Sequence, residues 1–212
     1  MYDAKPPYDG AYGRAKLRFA TNCRKSTITR VYMGIDQLKY RTKTYLAGDW
    51  SGDIDAIEKI HTWNESDKYS LHFKDVHDYT SSYDTSNYCS IKKSLKKRMD
   101  VSKMFVLVVG EHTASITKGA CFNCCFYQKF ITLPPKCKLG YSINNSSYID
   151  YECELAVKAG IDIVVLYNDT KVDRSKCPLA VRYRGKHIPM ARIEEDGECY
   201  WDYKSVKAAI IE

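Results

Sequence analysis

At 212 residues the chain can bury one substantial core, or one core with a decorated edge, and is short for two full domains. Its 44% hydrophobic and 28% charged residues are ordinary for a globular protein, and no apolar run approaches the roughly 20 residues of a membrane-spanning helix. The formal charge of +7 does not mark a nucleic-acid binder, because Lys and Arg are spread along the chain with acidic residues between them.

Neither a membrane nor a nucleic-acid partner is therefore expected. Residues 1–7, Met-Tyr-Asp-Ala-Lys-Pro-Pro, lack the charged and then apolar pattern of a secretory leader, so a cytoplasmic location is expected. Nine cysteines are an odd number, and several lie in apolar segments. That suits reduced thiols or metal ligands better than a secreted disulfide framework.

Residues 1–42 carry no clean period and read as an N-terminal extension, leaving a domain over residues 43–212. Residues 43–48 form a β-prone run closed by Gly48, followed by the polar loop 49–53. The helix after it is predicted to bury Ile54, Ile57 and either Ile60 or His61, with Asp53 accepting from the first free amides. Leu71-His72-Phe73 is predicted as a short second strand, and residues 74–90 as a long loop. Ser90 can cap a helix over 91–99 that turns Ile91, Leu95 and Met99 inward. Its basic residues Lys92, Lys93, Lys96, Lys97 and Arg98 are read as a solvated face.

Residues 103–110 are a continuous apolar run ending in Gly110, the pattern of a central strand covered on both faces. An irregular Cys-rich insert at about 118–146 follows, and then Ser147 with Asp150 three residues on resembles a capping box. The helix it opens keeps Tyr148, Tyr151, Glu152, Leu155, Ala156 and Ala159 in helical spacing up to Gly160. Residues 161–167 form another buried strand, and the tail offers a weak strand near 188–193 and a last helix capped by Asp202.

Strands alternating with helices indicate an α/β fold with a parallel sheet and helices on both faces, and ligands in such sheets sit beyond the carboxyl ends of the strands. Three segments meet there: loop 49–53, loop 74–78 and the stretch from Glu111 into the Glu152 helix. Glu152 shares a helix face with Tyr148, Leu155 and Ala156, whereas Glu154 is rotated by about 200°. Two readings of Glu152 stand open. It can be a first-turn carboxylate that favours the helix dipole and pairs with a Lys. It can also be a partly desolvated catalytic group that holds a ribose hydroxyl and stabilises an oxocarbenium-like transition state.

Cys121-Phe122-Asn123-Cys124 is a CxxC, and with Cys125 and Cys137 it could hold a structural zinc. Reduced, partly buried cysteines are the other reading. Trp50 either packs on the sheet edge or stacks on a ligand base. The chain has no Gly-x-Gly-x-x-Gly after a strand, no Walker loop, no Gly-x-Ser-x-Gly elbow and no His-Glu-x-x-His. A reversible dehydrogenase, a P-loop enzyme and a zincin are therefore not expected.

Residues 43–48 with the acidic-aromatic loop after them, residues 90–99, residues 102–113 and residues 147–166 together resemble the TIR-like domains of the Thoeris type in bacterial antiphage defence. The strongest segment is Tyr148-Ile149-Asp150-Tyr151-Glu152-Cys153-Glu154-Leu155-Ala156. Where the family usually has Ser-Tyr or Ser-Phe after its first strand, this chain has Ala47-Gly48-Asp49-Trp50. The resemblance implies a flavodoxin-like sheet and an NAD glycohydrolase or cyclase with Glu152 as its catalytic carboxylate. NAD would be the substrate, and no cofactor would be needed for the chemistry. By position, Asp49, Trp50, Ser51, Asp75, His77 and Asp78 would line the NAD site. The resemblance further implies an ADP-ribose-type signal, an effector protein that responds to it, and self-association. Two alternatives come from other classes: a non-catalytic TIR-like interaction module and a nucleoside deoxyribosyltransferase-like enzyme.

Overall fold

Alternate residues along each apolar run face opposite ways, and the sheet buries both sets. A computed structural model describes residues 41–69, 71–76, 87–127 and 135–211. His77, Asp78 and nearly all of the N-terminal extension lie outside the described residues. Strands β1 (Lys43–Ala47), β2 (Ser102–Val109), β3 (Asp162–Tyr167) and β4 (Lys186–Pro189) pair in parallel in that order. Tyr45 stands opposite Phe105, and Phe105 opposite Ile163.

Helices α1 (Ile54–Glu65), α2 (Tyr88–Asp100), α3 (Tyr148–Ala159) and α4 (Tyr203–Ile211) cover the sheet. Tyr45, Ala47, Phe105, Leu107, Val109 and Val165 pack against Leu95 and Met99 of α2 and Ile149, Cys153 and Ala156 of α3. Leu46, Val106, Val108, Val164 and Leu166 pack on the other face against Ile57, Ile60 and Trp63 of α1 and Val206 and Ile210 of α4. Each Val, Leu, Ile, Phe or Met among them, fully buried, contributes about 1.5–3 kcal/mol. This is the parallel sheet with helices on both faces that the pattern implied, and the flavodoxin-like architecture that the resemblance implied.

The second strand is where the structure departs. Residues 71–73 do not pair, because the Asn64 side chain takes both backbone groups of Phe73, donating to its carbonyl at 3.0 Å and accepting from its amide at 3.1 Å. Pairing moves downstream, where Thr44 donates to the Lys74 carbonyl at 2.9 Å and accepts from the Val76 amide at 3.1 Å. The result, among the described residues, is one parallel bridge between Thr44 and Asp75 on the side of β1 away from β2.

Other departures are local. Asp53 makes no side-chain cap to α1, and Ile54 is exposed. Helix α2 begins a turn earlier than expected, capped by Asn87, whose side chain accepts from the Ser90 amide at 2.9 Å. The basic run is not all solvated, because Lys92 and Arg98 are buried. The segment expected as one strand over 188–193 divides at Met190, whose amide donates to the Tyr167 carbonyl and whose carbonyl accepts from the Asp202 amide. Beyond it, β5 (Ala191–Ile193) pairs antiparallel with β6 (Cys199–Trp201). The expected caps of α3 are present: Ser147 accepts from the Asp150 amide, and Gly160 closes the helix in the left-handed region at φ 63. The Asp202 carboxylate caps α4 at the Ser205 amide.

His187 ties β4 to the segment before it. Its Nε2 lies 3.2 Å from the Val181 carbonyl and 3.1 Å from the Arg184 carbonyl, both acceptors, so Nε2 carries the hydrogen and Nδ1 accepts from the Tyr167 hydroxyl at 2.9 Å. Burial, and then the Arg174 charge, draws its pKa below the ordinary value. As pH falls through about 6.5 the unfolded chain takes up the proton first, so stability is lost in that window. Urea midpoints measured at pH 7.5 and 5.5 are expected to drop less in His187→Gln than in the wild type.

Candidate active site

Glu152 lies on the buried stripe of α3, one turn after the Ser147 cap, and is 7% exposed. Its neighbour across the sheet is Tyr45, in the middle of β1, whose hydroxyl donates to Glu152 Oε1 at 2.6 Å. Burial, and next the charge of Glu152, pushes the Tyr45 pKa well above its ordinary value, so the phenol stays a donor. Glu154 is exposed and accepts from the Ser146 hydroxyl, which removes it as a rival for Glu152's place.

A cavity of about 430 Å³ opens beside this pair at the carboxyl end of β1. Its walls come from the loop after β1 (Asp49, Trp50 and Ser51), from α2 (Ile91, Leu95 and Arg98), from Ile116 and Lys118, and from α3 (Tyr148, Ile149 and Glu152). Its lining mixes apolar side chains such as Leu46, Ile91, Leu95 and Ile149 with the polar groups of Asp49, Ser51, Arg98, Lys118 and Glu152, as in small-molecule sites. Asp49 is held below the usual carboxylate range: burial acts to raise it, but the Ser51 hydroxyl, the Ser51 and Gly52 amides and the Lys118 charge outweigh that. Trp50 lines the cavity and is 48% exposed.

Of the residues expected to line a nucleotide site, Asp49, Trp50 and Ser51 do line this cavity. Asp75 is not in its wall. It is buried, 3.8 Å from His61 Nε2, and the His61 ring in turn stands 6.0 Å from that of Trp50. Asp53 lies outside the cavity as well. Its carboxyl packs so closely on Gly110 that a Cβ there would fall 1.7 Å from Oδ1.

Arg98, buried in the cavity wall, Lys118, also in that wall, and Tyr45 are residues that the sequence alone did not point to. Arg98 follows Ile91 and Leu95 at i+7 and i+3, a spacing that places it on the inward stripe, and the surrounding lysines masked that signal. Nothing local to Tyr45 announces a partner 107 residues away.

The four cysteines named for a possible zinc, Cys121, Cys124, Cys125 and Cys137, differ in their surroundings: Cys121 and Cys137 are buried and Cys125 is exposed. Among the described residues no three His, Cys, Asp or Glu side chains meet the geometry of a metal site, although three thiols, Cys89, Cys121 and Cys137, lie near one another. Cys125 is exposed, and the Cys121 sulfur accepts from the Asn144 amide at 3.3 Å. The thiol that joins Cys121 and Cys137 is Cys89 of α2, pushed up to about 12 by burial first and by those two neighbours next. A buried ammonium, Lys92, stands beside Cys89 and Cys121, which opposes a dication there. Its Nζ donates to the Asn144 carbonyl at 3.0 Å, the Asn144 side-chain oxygen at 2.8 Å and the Ser146 carbonyl at 2.7 Å. With the Cys121 amide on the Asn144 carbonyl and the Tyr148 amide on the Lys118 carbonyl, these bonds close the neck of the insert.

No helix among the described residues is long and apolar enough to cross a membrane. No curated protein matches the chain. Residues 45–118 match a family model described as Thoeris protein ThsB, TIR-like domain. The matched span holds Asp49, Trp50, Ser51, Arg98 and Lys118, and it ends before the helix that carries Glu152.

Proposed function

We propose that this chain, whose residues 45–118 match the TIR-like domain of Thoeris protein ThsB, is a TIR-like enzyme of antiphage defence that cleaves the bond between nicotinamide and ribose in NAD, with Glu152 as the catalytic carboxylate. The observation that carries the reading is a buried carboxylate in the wall of a cavity at the carboxyl edge of a parallel sheet. Burying a charge there is costly unless it is used or compensated. Arg98 and Lys118 supply positive charge for a diphosphate, and Trp50 supplies a stacking face for a base.

In the reaction, the bond from ribose C1′ to the nicotinamide nitrogen breaks and its electron pair leaves with nicotinamide, which departs neutral. Positive charge moves from the pyridinium ring to the ribose C1′–O4′ unit, where the Glu152 carboxylate stabilises it. Water attacking C1′ and losing a proton to solvent yields ADP-ribose. Attack by a hydroxyl of the same molecule, with the same proton loss, yields a cyclic isomer. Either product is the signal that an effector protein would read in the cytoplasm. Concentrated protein incubated with NAD is expected to release nicotinamide, followed by chromatography with mass detection of the partner product. Wild type and Glu152→Gln that are equally silent in phage-infected cells would overturn the reading.

Trp50 should act in binding. Losing one stacked base costs about 1–3 kcal/mol, so Trp50→Ala is expected to raise KM for NAD about tenfold and to change kcat less than about threefold. Steady-state kinetics at saturating NAD separates the two.

A second reading, a non-catalytic interaction module, draws on Leu179 and Tyr183, two large side chains after β3 that are mostly exposed. It predicts that Leu179→Asp alters self-association while Glu152→Gln changes nothing.

A further inference from the structure

We propose that Tyr45 is a positioning residue for Glu152: its hydroxyl fixes the orientation of the carboxyl and favours the ionised form that the cleavage requires. The catalytic consequence rests on the NAD-cleavage reading. The coupling between the two side chains does not.

The two groups come from distant parts of the fold. Tyr45 is 0% exposed, and its ring is held by Phe105, whose centroid lies 5.8 Å away and which is its register partner on β2. A phenylalanine would fill that place as well, so packing does not explain the hydroxyl. The hydroxyl reaches Glu152 Oε1 at 2.6 Å, within the short range of O–H···O⁻ bonds. A buried carboxylate with a short donor of this kind is held in one plane, and hydrogen bonding to the charged form favours that form. Because Tyr45 is displaced away from ionisation, the donor persists over the working pH range. Arg98 of α2 and Asp75 beside β1 also face the phenol, while Cys153 adjoins Glu152 on α3 with Asp150 and Glu154 nearby. Only the Tyr45 hydroxyl can be removed from this group without altering charge.

The test uses Tyr45→Phe in the full chain. Charge-assisted hydrogen bonds are worth about 1.5–3 kcal/mol, so kcat at neutral pH is expected to fall about 10- to 100-fold, with KM changed less than about threefold. The acid limb of the kcat profile moves to higher pH, because the carboxylate has lost a donor, and activity recovers in part at alkaline pH. The Glu152 δ-carbon, identified by its absence from Glu152→Gln, is expected to titrate at higher pH in a carbon-13 spectrum of Tyr45→Phe. An unmoved Glu152 titration overturns the proposal, and so does an equal loss of activity at every pH, which is what a merely structural tyrosine produces. Wild type that leaves NAD intact would defeat the reaction while the titration still decides the coupling. Should Tyr45→Phe fail to fold, a ring-fluorinated tyrosine at position 45 gives a stronger donor of nearly the same shape. It is expected to move the Glu152 titration downward, and no movement counts against the proposal.

Discussion

Glu152→Gln is expected to lower nicotinamide release from NAD by about 1,000-fold, with thermal unfolding close to that of the wild type. The substitution keeps the shape of the side chain and an oxygen that can accept from Tyr45, so the packing around α3 has no reason to change. What disappears is a full negative charge beside the forming ribose cation. Two unit charges about 4 Å apart interact by about 4 kcal/mol at an effective dielectric near 20. That energy corresponds to roughly a thousandfold in rate. The charge acts mainly as the cation develops, so kcat should fall far more than KM rises. Nicotinamide quantified over long incubations checks this, and more than about a tenth of the wild-type rate would remove Glu152 from the chemistry.

The second large effect is on stability. Gly185 precedes β4 with φ at 76, and a Cβ there would meet the Ile163 carbonyl oxygen of β3 at 2.0 Å and its carbonyl carbon at 2.7 Å. Both are backbone atoms of a paired strand, so neither can retreat as a flexible side chain would. Gly185→Ala combines a disfavoured conformation with that collision and is expected to cost about 3–5 kcal/mol. For a domain of this size the Tm should fall by roughly 6–20 °C. Gly160→Ala is the control: φ is similar at 63, but a Cβ meets nothing within 4 Å, so only conformational strain of about 1–2 kcal/mol applies. Circular-dichroism melts of the pair separate the two contributions, and equal Tm values would show that the approach to Ile163 is looser than described.

Features controlled by neighbours in the chain were legible. The unbroken apolar run of β2, the Ser147 cap and the Gly160 stop each depend on contacts within a few residues, and Glu152 on the buried stripe of α3 follows from helical spacing. Features that depend on a distant or competing partner were not. The displaced second strand turns on Asn64 capturing Phe73, a choice that the β-prone letters at 71–73 do not reveal. Lys92 and Arg98 look like their solvated neighbours until the insert and the cavity give each a reason to be buried. The chemistry of the site was thus half visible: a carboxylate on an apolar face, without the phenol that touches it or the guanidinium that shares its cavity.

The closed neck of the Cys-rich insert has a consequence for how this scaffold tolerates change. Loop-closure entropy grows by only about 0.6 kcal/mol for each doubling of a flexible loop. With Lys92 clasping Asn144 and Ser146, and Lys118 bonded to Tyr148, the start of α3 is anchored independently of whatever lies farther out in the excursion. Apart from Cys137, which is buried beside Cys89 and Cys121, residues beyond that clasp can therefore be lengthened, trimmed or exchanged for a reporter while the helix that presents Glu152 stays in register, which makes this a natural graft point.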